Sequence, residues 1–353
     1  MTETVVPFVD FEHQLTPYCK PHYQSFRLQC RKFAQEVLLP NIDKWEKEGS
    51  IPRAIYAKAY EYGVYTPEYP TEYGGQYWQN QKWDYFMDII RNDEFSGCAS
   101  GGLFTALYIH KISVPPVLHF GNEQQKRLFV PVLKGEKIAC LAISEPAYGS
   151  DVSNISTMAT KDESGEFYIV NGMKKWISNG IKADFYVTAV RTGSPKSGLK
   201  GISLLIIPKE GNERNIITSR IVTQGHKVSE TAMIIFKNAR VPCSYLIGEE
   251  NKGFLLIMRN FNSERMGITI STNALAKRAL LEAVQYAKQR KTFKKALIEH
   301  QVIRHKLAEC ARHVMATQCF IEKLAFELNE DALSQKNTRL AANICLCKVQ
   351  ATK

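Results

Sequence analysis

The spacing of apolar residues changes twice along this chain, and that change limits the architectures it can adopt. From residue 8 to about residue 135, apolar residues recur every three or four positions, for example at Phe26, Cys30, Phe33 and Val37. This is the spacing of amphipathic helices. The chain has 353 residues, enough for roughly two or three domains. We therefore predict an all-helical N-terminal domain over residues 1–136.

The pattern between residues 137 and 250 is that of β-structure. Short runs of β-branched and aromatic residues, such as Phe185–Val190 and Ile202–Ile207, alternate with turn clusters such as Asn171-Gly172. Runs of this length, bounded by Gly, Asn and Pro, are typical of strands in antiparallel sheets. We predict an antiparallel β-barrel or sandwich for residues 137–250.

The helical spacing returns at Gly253 and continues to the last residue of the sequence. We predict a C-terminal helical bundle over residues 251–353, which makes the chain an α+β multidomain protein. Residues 341–353 keep a helix-favouring pattern without a glycine or proline stop signal. For this reason we expect the bundle to be incomplete.

The composition excludes some classes of function and leaves others open. The formal net charge of +11 fits nucleic acid, a membrane surface or an anionic small molecule as partner, and charge does not choose among them. No apolar run approaches the ~18 residues of a spanning helix, so no membrane span is expected. The nine cysteines include no Cys-x-x-Cys pair and no cluster with histidine. We predict neither a disulfide framework nor a metal site.

Several common catalytic motifs are absent from the sequence. No Gly-x-Gly-x-x-Gly follows a predicted strand, and there is no P-loop. The sequence also lacks the Gly-x-Ser-x-Gly nucleophile elbow and the His-Glu-x-x-His zinc helix. Nicotinamide binding on a Rossmann unit, P-loop chemistry and these two hydrolase types are therefore disfavoured.

Two segments of the β-region carry an unusual pattern. In residues 141–151 a strand leads into a turn of small polar residues, whose N–H groups and hydroxyls suit a polar ring edge or an anion. In residues 174–180, Trp176 and Ser178 are expected on one face of a strand that ends in an Asn-Gly turn, where they could cover a flat cofactor. A tight turn without ligand and a core tryptophan are the simpler interpretations, and both remain open here.

Several motifs in order resemble those of the acyl-CoA dehydrogenase family over essentially the whole chain. They are Ser144-Glu-Pro-Ala-Tyr-Gly-Ser-Asp151, Trp176-Ile-Ser-Asn-Gly180, Tyr286-Ala-Lys-Gln-Arg-Lys-Thr-Phe293 and His300-Gln301. Further similarity lies in Pro70-Thr-Glu-Tyr-Gly-Gly75, Phe120-Gly-Asn-Glu-Gln-Gln-Lys126 and Gly248-Glu-Glu-Asn-Lys-Gly-Phe254.

The resemblance implies FAD as the cofactor and an acyl-CoA thioester lying against the flavin. The residues that it assigns to the flavin of the same subunit are Leu141, Ala142, Ile143, Ser144, Ser150, Trp176, Ile177 and Ser178. It places Ser150 and Arg265 at the substrate, and it assigns Arg290, Phe293 and Gln301 to the FAD of a neighbouring subunit. A guanidinium such as that of Arg290 presents a fork of donors to a pyrophosphate.

The family's chemistry requires a base that removes the proton α to the thioester carbonyl. By resemblance this base is Glu264, placed as in the long-chain and isovaleryl branches. Its neighbours three and four positions away are uncharged: Asn260, Phe261, Gly267 and Ile268. A carboxylate on such a stripe is expected to be desolvated, which favours a base that must return its proton. An ordinary solvated or ion-paired helix glutamate is the alternative.

The sequence departs from the family pattern at two places. Lys294 follows Phe293 where the family usually has glycine. The chain also stops before the family's last pair of helices, so we expect either a shortened member or one with impaired activity.

The resemblance implies oxidation of an acyl-CoA to a trans-2-enoyl-CoA, with an electron-transfer flavoprotein as acceptor and a homodimer or homotetramer as the assembly. The alternative is a catalytically impaired relative that acts as an interaction or DNA-binding module, although nucleic acid is not the partner we expect. An acyl-CoA oxidase, which would reduce oxygen, ranks last. The family's compartment is the mitochondrial matrix if the source is eukaryotic, yet residues 1–26 contain no arginine and do not resemble a transit peptide. For any other source we expect a cytoplasmic protein.

Overall fold

The structure, a computed structural model, describes residues 20–330 and 338–353. It confirms the predicted order of a helical region, a sheet and a second helical region. Within the described residues, one compact unit contains 20–34, 84–99 and the chain from Arg265 onward. The other contains 35–83 and 100–264. We call them the helical unit and the sheet unit. The domain boundaries at residues 136 and 250 stay a prediction, since this division follows compactness rather than chain order.

The α-helices of the described residues fall before and after the sheet. Those before the sheet are α1 (Pro21–Phe33), α2 (Ile42–Glu48), α3 (Ala54–Glu61), α4 (Tyr85–Ser96), α5 (Gly101–Tyr108), α6 (His110–Ser113), α7 (Pro115–Phe120), α8 (Glu123–Leu128) and α9 (Val130–Leu133). Those after it are α10 (Gly253–Gln289), α11 (Gln301–Glu330) and α12 (Thr338–Thr352). No helix in 20–330 or 338–353 is both long and apolar enough to cross a membrane.

The strands form one large sheet and one small hairpin. The large sheet contains β1 (Ala139–Ala142), β2 (Met158–Lys161), β3 (Phe167–Ile177), β4 (Phe185–Arg191), β5 (Ile202–Pro208), β6 (Ile216–Arg220), β7 (Ala232–Pro242) and β8 (Leu246–Ile247). The order across it is β6-β7-β3-β2-β4-β5-β8, with β1 paired to β4. The hairpin consists of β9 (Lys291–Thr292) and β10 (Lys295–Ala296).

The sheet is covered on both faces at its centre, which explains why five of the seven residues of β4 are apolar. Phe185, Val187 and Ala189 join one hydrophobic cluster, whereas Tyr186 and Val190 join another. Successive side chains of a strand point to opposite faces, so a strand buried on both faces is apolar at most of its positions. The strand β1, which leads into the site described below, pairs with this central strand.

Most neighbouring strands are antiparallel, as predicted, but β2 meets β4 in parallel at Met158 and Arg191, and β1 is the longer exception. It runs parallel to β4, with Ala139 opposite Phe185 and Ala142 opposite Thr188. The apolar pattern could not reveal this direction, because a strand buried on both faces reads the same in either orientation. The parallel pairing brings the end of β1 close to the end of β4.

The helical unit has its own apolar core and a charged layer. The core side chains come from α4, α10, α11 and α12 and include Ile89, Met266, Ile270, Ile321, Leu324, Leu340 and Ile344. Beside it, Asp93 accepts a hydrogen bond of 3.1 Å from Lys277 Nζ, and Glu94 pairs with Arg27 and Arg31 at 2.9 Å. Burial of the apolar helix faces is the main stabilising contribution in such a unit.

Candidate functional site

The two unusual segments of the sequence lie side by side in the sheet unit. The backbone N–H of Lys175 donates to the carbonyl of Ser144 at 2.9 Å. The Lys174 ammonium donates to the carbonyl of Ile143 at 3.0 Å. The end of β1 and the end of β3 are thus joined by both backbone and side-chain hydrogen bonds. These bonds hold the two segments next to each other, which is required if both contribute to one site, as predicted.

A buried ion pair strengthens this connection. Lys174 Nζ lies 2.8 Å from Glu145 Oε1, and their side chains are 0% and 2% exposed. The other donors to Glu145 are the N–H and hydroxyl of Ser156, both at 2.7 Å, and the N–H of Thr157 at 2.9 Å. A buried carboxylate is tolerated when its oxygens are fully hydrogen-bonded and a cation is near. Glu145 is therefore a structural group.

The charges of this pair persist at neutral pH. Burial alone would raise the pKa of Glu145, but the Lys174 charge and the hydrogen bonds from Lys174, Thr157 and Ser156 outweigh burial and lower the pKa to about 2. Burial lowers the pKa of Lys174 to about 8, and the attraction of Glu145 limits that fall. Both pKa values leave the pair ionised at pH 7.

Trp176 sits in a strained, exposed position beside this pair. The register of β3 against β7 shifts between Lys174 and Ile177, which marks a β-bulge. Within the bulge Trp176 has φ +68°, in the left-handed region that non-glycine residues rarely occupy. Its side chain is 55% exposed. A large aromatic group held outward by a strained backbone is the kind of outlier that suggests a binding role.

The expectation that Trp176 and Ser178 share one face of a regular strand does not hold. The strand ends at Ile177, so Ser178 already lies in the turn, and the bulge alters the alternation of side chains. The predicted turn at Asn179 does form, with φ +57°. The side chain of Asn179 is buried and donates to the Tyr56 hydroxyl at 2.9 Å, which anchors the turn.

The turn after β1 is closed at its base and open at its tip. Glu145 N–H donates to the carbonyl of Tyr148 at 2.9 Å, and Tyr148 N–H returns a bond of 3.2 Å. Ser150 is exposed. Asp151 accepts hydrogen bonds from Ser153 and Asn154 at 2.7 and 2.6 Å, which lower its pKa. The tip is thus available to a ligand while its ends are held.

The residues assigned to the flavin by resemblance divide into two groups. The side chains of Leu141, Ala142, Ile143 and Ile177 are buried in the protein core, so these residues could meet a ligand chiefly through their main chain. The hydroxyls of Ser144, Ser150 and Ser178 make no hydrogen bond within the described part of the chain, and none of the three residues is buried. A polar ring edge needs donors and acceptors of this kind. Together with the exposed indole, they fit an isoalloxazine ring.

Glu264 lies on α10 in the sheet unit and is half-buried. Two turns earlier on the same helix, Ile257 packs in the hydrophobic cluster that contains Leu141 and Ile143 of the first segment. At 100° per residue, positions seven apart lie on nearly the same helix face. Glu264 therefore lies on nearly the same face of α10 as Ile257, the face that joins this cluster.

Arg265 is half-buried and belongs to the helical unit. The residues assigned to a neighbouring subunit's FAD belong to the same unit. Arg290, Phe293 and Gln301 are exposed, and Phe293 is 91% exposed at the tip of the β9–β10 hairpin. The carbonyl of Arg290 accepts the Leu297 N–H at 2.8 Å, which closes the base of this hairpin. The structure brings Arg290 and Phe293 onto one hairpin and places Gln301 at the start of α11.

The turn of this hairpin carries the departure noted in the sequence. Phe293 and Lys294 have φ +48° and φ +63°. Two consecutive left-handed residues are the pattern of a type I′ turn, in which Asn and Gly are favoured. A lysine at the second position is strained for that reason.

Lys174 and Arg191 are residues near the site that the sequence patterns did not single out. A lysine in a strand normally indicates a solvent-facing position. The available signal was the acidic residue Glu145 in a turn otherwise composed of small residues, since a buried carboxylate calls for a cation.

Within the described residues no three His, Cys, Asp or Glu side chains are grouped to hold a metal ion.

Three family models match the chain in the order of its regions. The acyl-CoA dehydrogenase N-terminal domain matches residues 20–136, the middle domain 140–239 and the C-terminal domain 251–353. An acyl-CoA dehydrogenase, apdG, from Emericella nidulans is 33% identical over 350 residues, which are 95% of this chain and 79% of that protein. The mitochondrial long-chain specific acyl-CoA dehydrogenase of Sus scrofa is 33% identical over 85% of this chain and 68% of its own length.

The fold agrees with these matches. The crystal structure of an acyl-CoA dehydrogenase complexed with FAD from Bacillus anthracis superimposes with a TM-score of 0.81 at 28% identity, over 96% of this chain and 57% of that one. Members of this family are FAD-dependent oxidoreductases. The fold, the matched regions and the extent of identity lead to one conclusion: the chain belongs to the acyl-CoA dehydrogenase family.

Proposed function

We propose that this chain is an FAD-dependent acyl-CoA dehydrogenase that converts an acyl-CoA into a trans-2-enoyl-CoA. The observation that carries the proposal is the junction of the two β-segments, where Lys175 N–H bonds to Ser144 and the exposed indole of Trp176 stands beside free serine hydroxyls. This combination suits a flat, polar-edged ring. Membership in the family supports FAD as that ring.

FAD, when bound, accepts the hydride that leaves the β carbon of the acyl chain. The hydroxyls of Ser144, Ser150 and Ser178 would bind the polar edge of the cofactor, and Trp176 would cover its plane. The main chain of residues 141–143 and 177 would supply further hydrogen bonds. Ser150, at the open tip of its turn, would also contact the thioester, with Arg265 as a second substrate contact.

Glu264 would accept the proton from the α carbon, so that the proton and the hydride leave neighbouring carbons and a C=C bond forms. Support comes from its half-buried position on the face of α10 that carries Ile257. Placement near apolar side chains favours a carboxylate that can be protonated and can release the proton again. Its position resembles that of the base in the long-chain and isovaleryl branches.

Arg290, Phe293 and Gln301 would bind the FAD of a neighbouring subunit, which requires a homodimer or homotetramer. Their exposure within the described helical unit leaves them accessible to such a partner. An electron-transfer flavoprotein is the proposed electron acceptor. For a eukaryotic source we propose the mitochondrial matrix as the compartment, with the Sus scrofa relative as support.

An anaerobic titration tests the catalytic role. Purified protein reconstituted with FAD is mixed with acyl-CoAs of graded length, and the flavin absorbance is followed. We expect bleaching with at least one substrate, and a fall in the reduction rate of about 10²–10⁴-fold in Glu264→Gln, as for loss of a general base. Glu282→Gln is the matched control, because Glu282 is an exposed glutamate on the same helix, 2.7 Å from Arg278.

The proposal fails if FAD binds but no acyl-CoA bleaches it. The assignment of the base fails if Glu264→Gln is reduced as fast as Glu282→Gln. Oxygen-dependent peroxide formation at the rate of substrate oxidation would favour an oxidase instead of a dehydrogenase.

A further inference from the structure

A second buried charge lies next to the proposed site, at the end of β4. The side chain of Arg191 is 2% exposed. Its Nε donates to the carbonyl of Ile155 at 2.9 Å and its Nη2 to the carbonyl of Ser153 at 2.7 Å. Its Nη1 donates to the hydroxyl of Ser197 at 3.1 Å and to the carbonyl of Gly198 at 3.0 Å. One guanidinium therefore binds two separate loops.

The partners of Arg191 are neutral oxygens. Among the described residues, none of its hydrogen bonds or contacts is an ion pair with a carboxylate. A buried cation without an opposite charge is costly unless its donors are hydrogen-bonded. The four oxygens accept from four of the five N–H groups of the guanidinium, so the loss of any one of them is unfavourable. The planar fork of arginine can reach four such acceptors at once, whereas a lysine ammonium cannot.

The first of the two loops is the turn that carries Ser150. Its near end is held by Glu145, whose carboxylate accepts the N–H groups of Ser156 and Thr157. Its far end is held by Arg191, which binds the carbonyls of Ser153 and Ile155. The Arg191 main chain adds a hydrogen bond of 2.7 Å to Thr157. Two buried charged groups thus determine the backbone path that leads from Ser150 into β2.

The second loop, residues 193–200, is closed at its neck by hydrogen bonds. The N–H groups of Thr192 and Gly193 both donate to the carbonyl of Gly201, at 3.0 and 3.1 Å. A Cβ at Gly201 would lie 1.8 Å from Ser197 Oγ and 3.1 Å from Arg191 Nη1. The loop is therefore packed tightly against the guanidinium.

We propose that Arg191 is a positioning residue that couples the Ser150 turn to the 193–200 loop, so that the two are ordered together. Its consequence for FAD and acyl-CoA rests on the proposed function, because Ser150 is assigned to both ligands there. The coupling itself is a property of the protein without ligand. The two parts of the inference can therefore be tested separately.

The coupling is tested by mutating one loop and measuring the other. In Ser197→Ala the guanidinium loses one acceptor, although Ser197 is not among the hydrogen-bond partners of residues 150–155. Amide hydrogen exchange of the apoprotein is followed in segments 149–155 and 193–199. We expect exchange to rise in both segments, by about tenfold for the loss of one bond to a charged group. Ser164→Ala is the matched control, since Ser164 makes a side-chain bond to Asp162 in a distant turn.

Arg191→Lys is the second variant, with Val190→Ala as its control. Val190 neighbours Arg191 on β4 but points into the opposite core, so its truncation weakens the sheet without touching either loop. The FAD affinity of each variant is measured by flavin fluorescence at the same number of degrees below its own melting temperature. We expect Arg191→Lys to bind FAD about tenfold more weakly than the wild type, and Val190→Ala to bind it with unchanged affinity.

The coupling is disproved if exchange in segment 149–155 stays unchanged in both Ser197→Ala and Arg191→Lys. It is supported if the two segments respond together and Val190→Ala leaves them unchanged. If exchange rises in both loops but FAD affinity is the same in Arg191→Lys, the coupling stands and the assignment of Ser150 to FAD is wrong.

Discussion

Glu145 and Lys174 form an ion pair of 2.8 Å in which both side chains are buried. Each residue belongs to one of the two segments that resemblance assigns to the cofactor. The pair holds the turn after β1 against the last residues of β3, and so places the Ser150 turn beside Trp176. Removing one member of a buried ion pair destabilises a protein far more than replacing both members by uncharged residues, and this difference can be measured.

Lys174→Met is expected to destabilise the protein by about 3–5 kcal/mol, because it leaves the Glu145 carboxylate buried without its cation. The double variant Glu145→Gln/Lys174→Met is expected to recover part of this loss, since no buried charge remains. Chemical denaturation of the apoproteins measures both. Lys175→Met is the control, because its ammonium lies over the Trp176 ring at 4.7 Å on the outside of the sheet and its loss costs about 1 kcal/mol or less. Equal losses in the two single variants would contradict the structural role of the pair.

The lowered pKa of Glu145 predicts how the free energy of unfolding depends on pH. The pKa of Glu145 falls from an ordinary 4.5 to about 2 on folding, so between these values the unfolded chain binds more protons than the folded one. The stabilisation from Glu145 is therefore complete above about pH 5 and is lost as pH falls toward 2; it is on the order of 3 kcal/mol. We expect the difference in unfolding free energy between wild type and Glu145→Gln to shrink over this range. A difference that is constant from pH 6 to pH 3 would show that the carboxylate is not selectively stabilised in its charged form.

Trp176→Ala is expected to weaken FAD binding by about tenfold while changing the unfolding free energy of the apoprotein little, because the indole is 55% exposed and its stacking energy is about 1–3 kcal/mol. Trp176→Phe should retain most of the affinity, since it keeps an aromatic plane. Fluorescence titration with FAD and denaturation of the apoprotein provide the two readouts. Val222→Ala serves as control, being an 88% exposed apolar residue of the same unit. Unchanged affinity in Trp176→Ala would remove this residue from the cofactor site.

Lys294→Gly is expected to stabilise the β9–β10 hairpin by up to about 1 kcal/mol, since Lys294 has φ +63° and a left-handed conformation costs a non-glycine residue about 1–2 kcal/mol. Part of the gain is offset by the greater freedom of glycine in the unfolded chain. Lys295→Gly is the matched control: it lies on β10 without a positive φ, and we expect it to destabilise by about 0.5–1 kcal/mol. The measurement is the melting temperature of the apoprotein. A lower melting temperature in Lys294→Gly would disprove the strain in this turn.

The fold was predictable to the extent that it depends on local spacing. The helix–sheet–helix order follows from the change of apolar period, and the strands near Phe185 and Ile202 follow from their β-branched runs. The parallel direction of β1 was not predictable, because a strand buried on both faces carries no signal of its orientation. For the site, the motif resemblance named Ser150, Trp176 and Glu264, and their roles stay predictions that the experiments above address.

By itself, the sequence determined which segments are helix and which are strand, that Asn179 lies in a turn, and which family the chain resembles. These properties depend on a residue and its near neighbours in the chain. Only the tertiary structure decided that Lys174 and Arg191 are buried cations, that Trp176 sits in a left-handed bulge, and that the Ser150 turn is held by two charged groups. Each of these depends on partners that are distant in sequence, since burial and strand register are set by which surfaces meet in the folded chain.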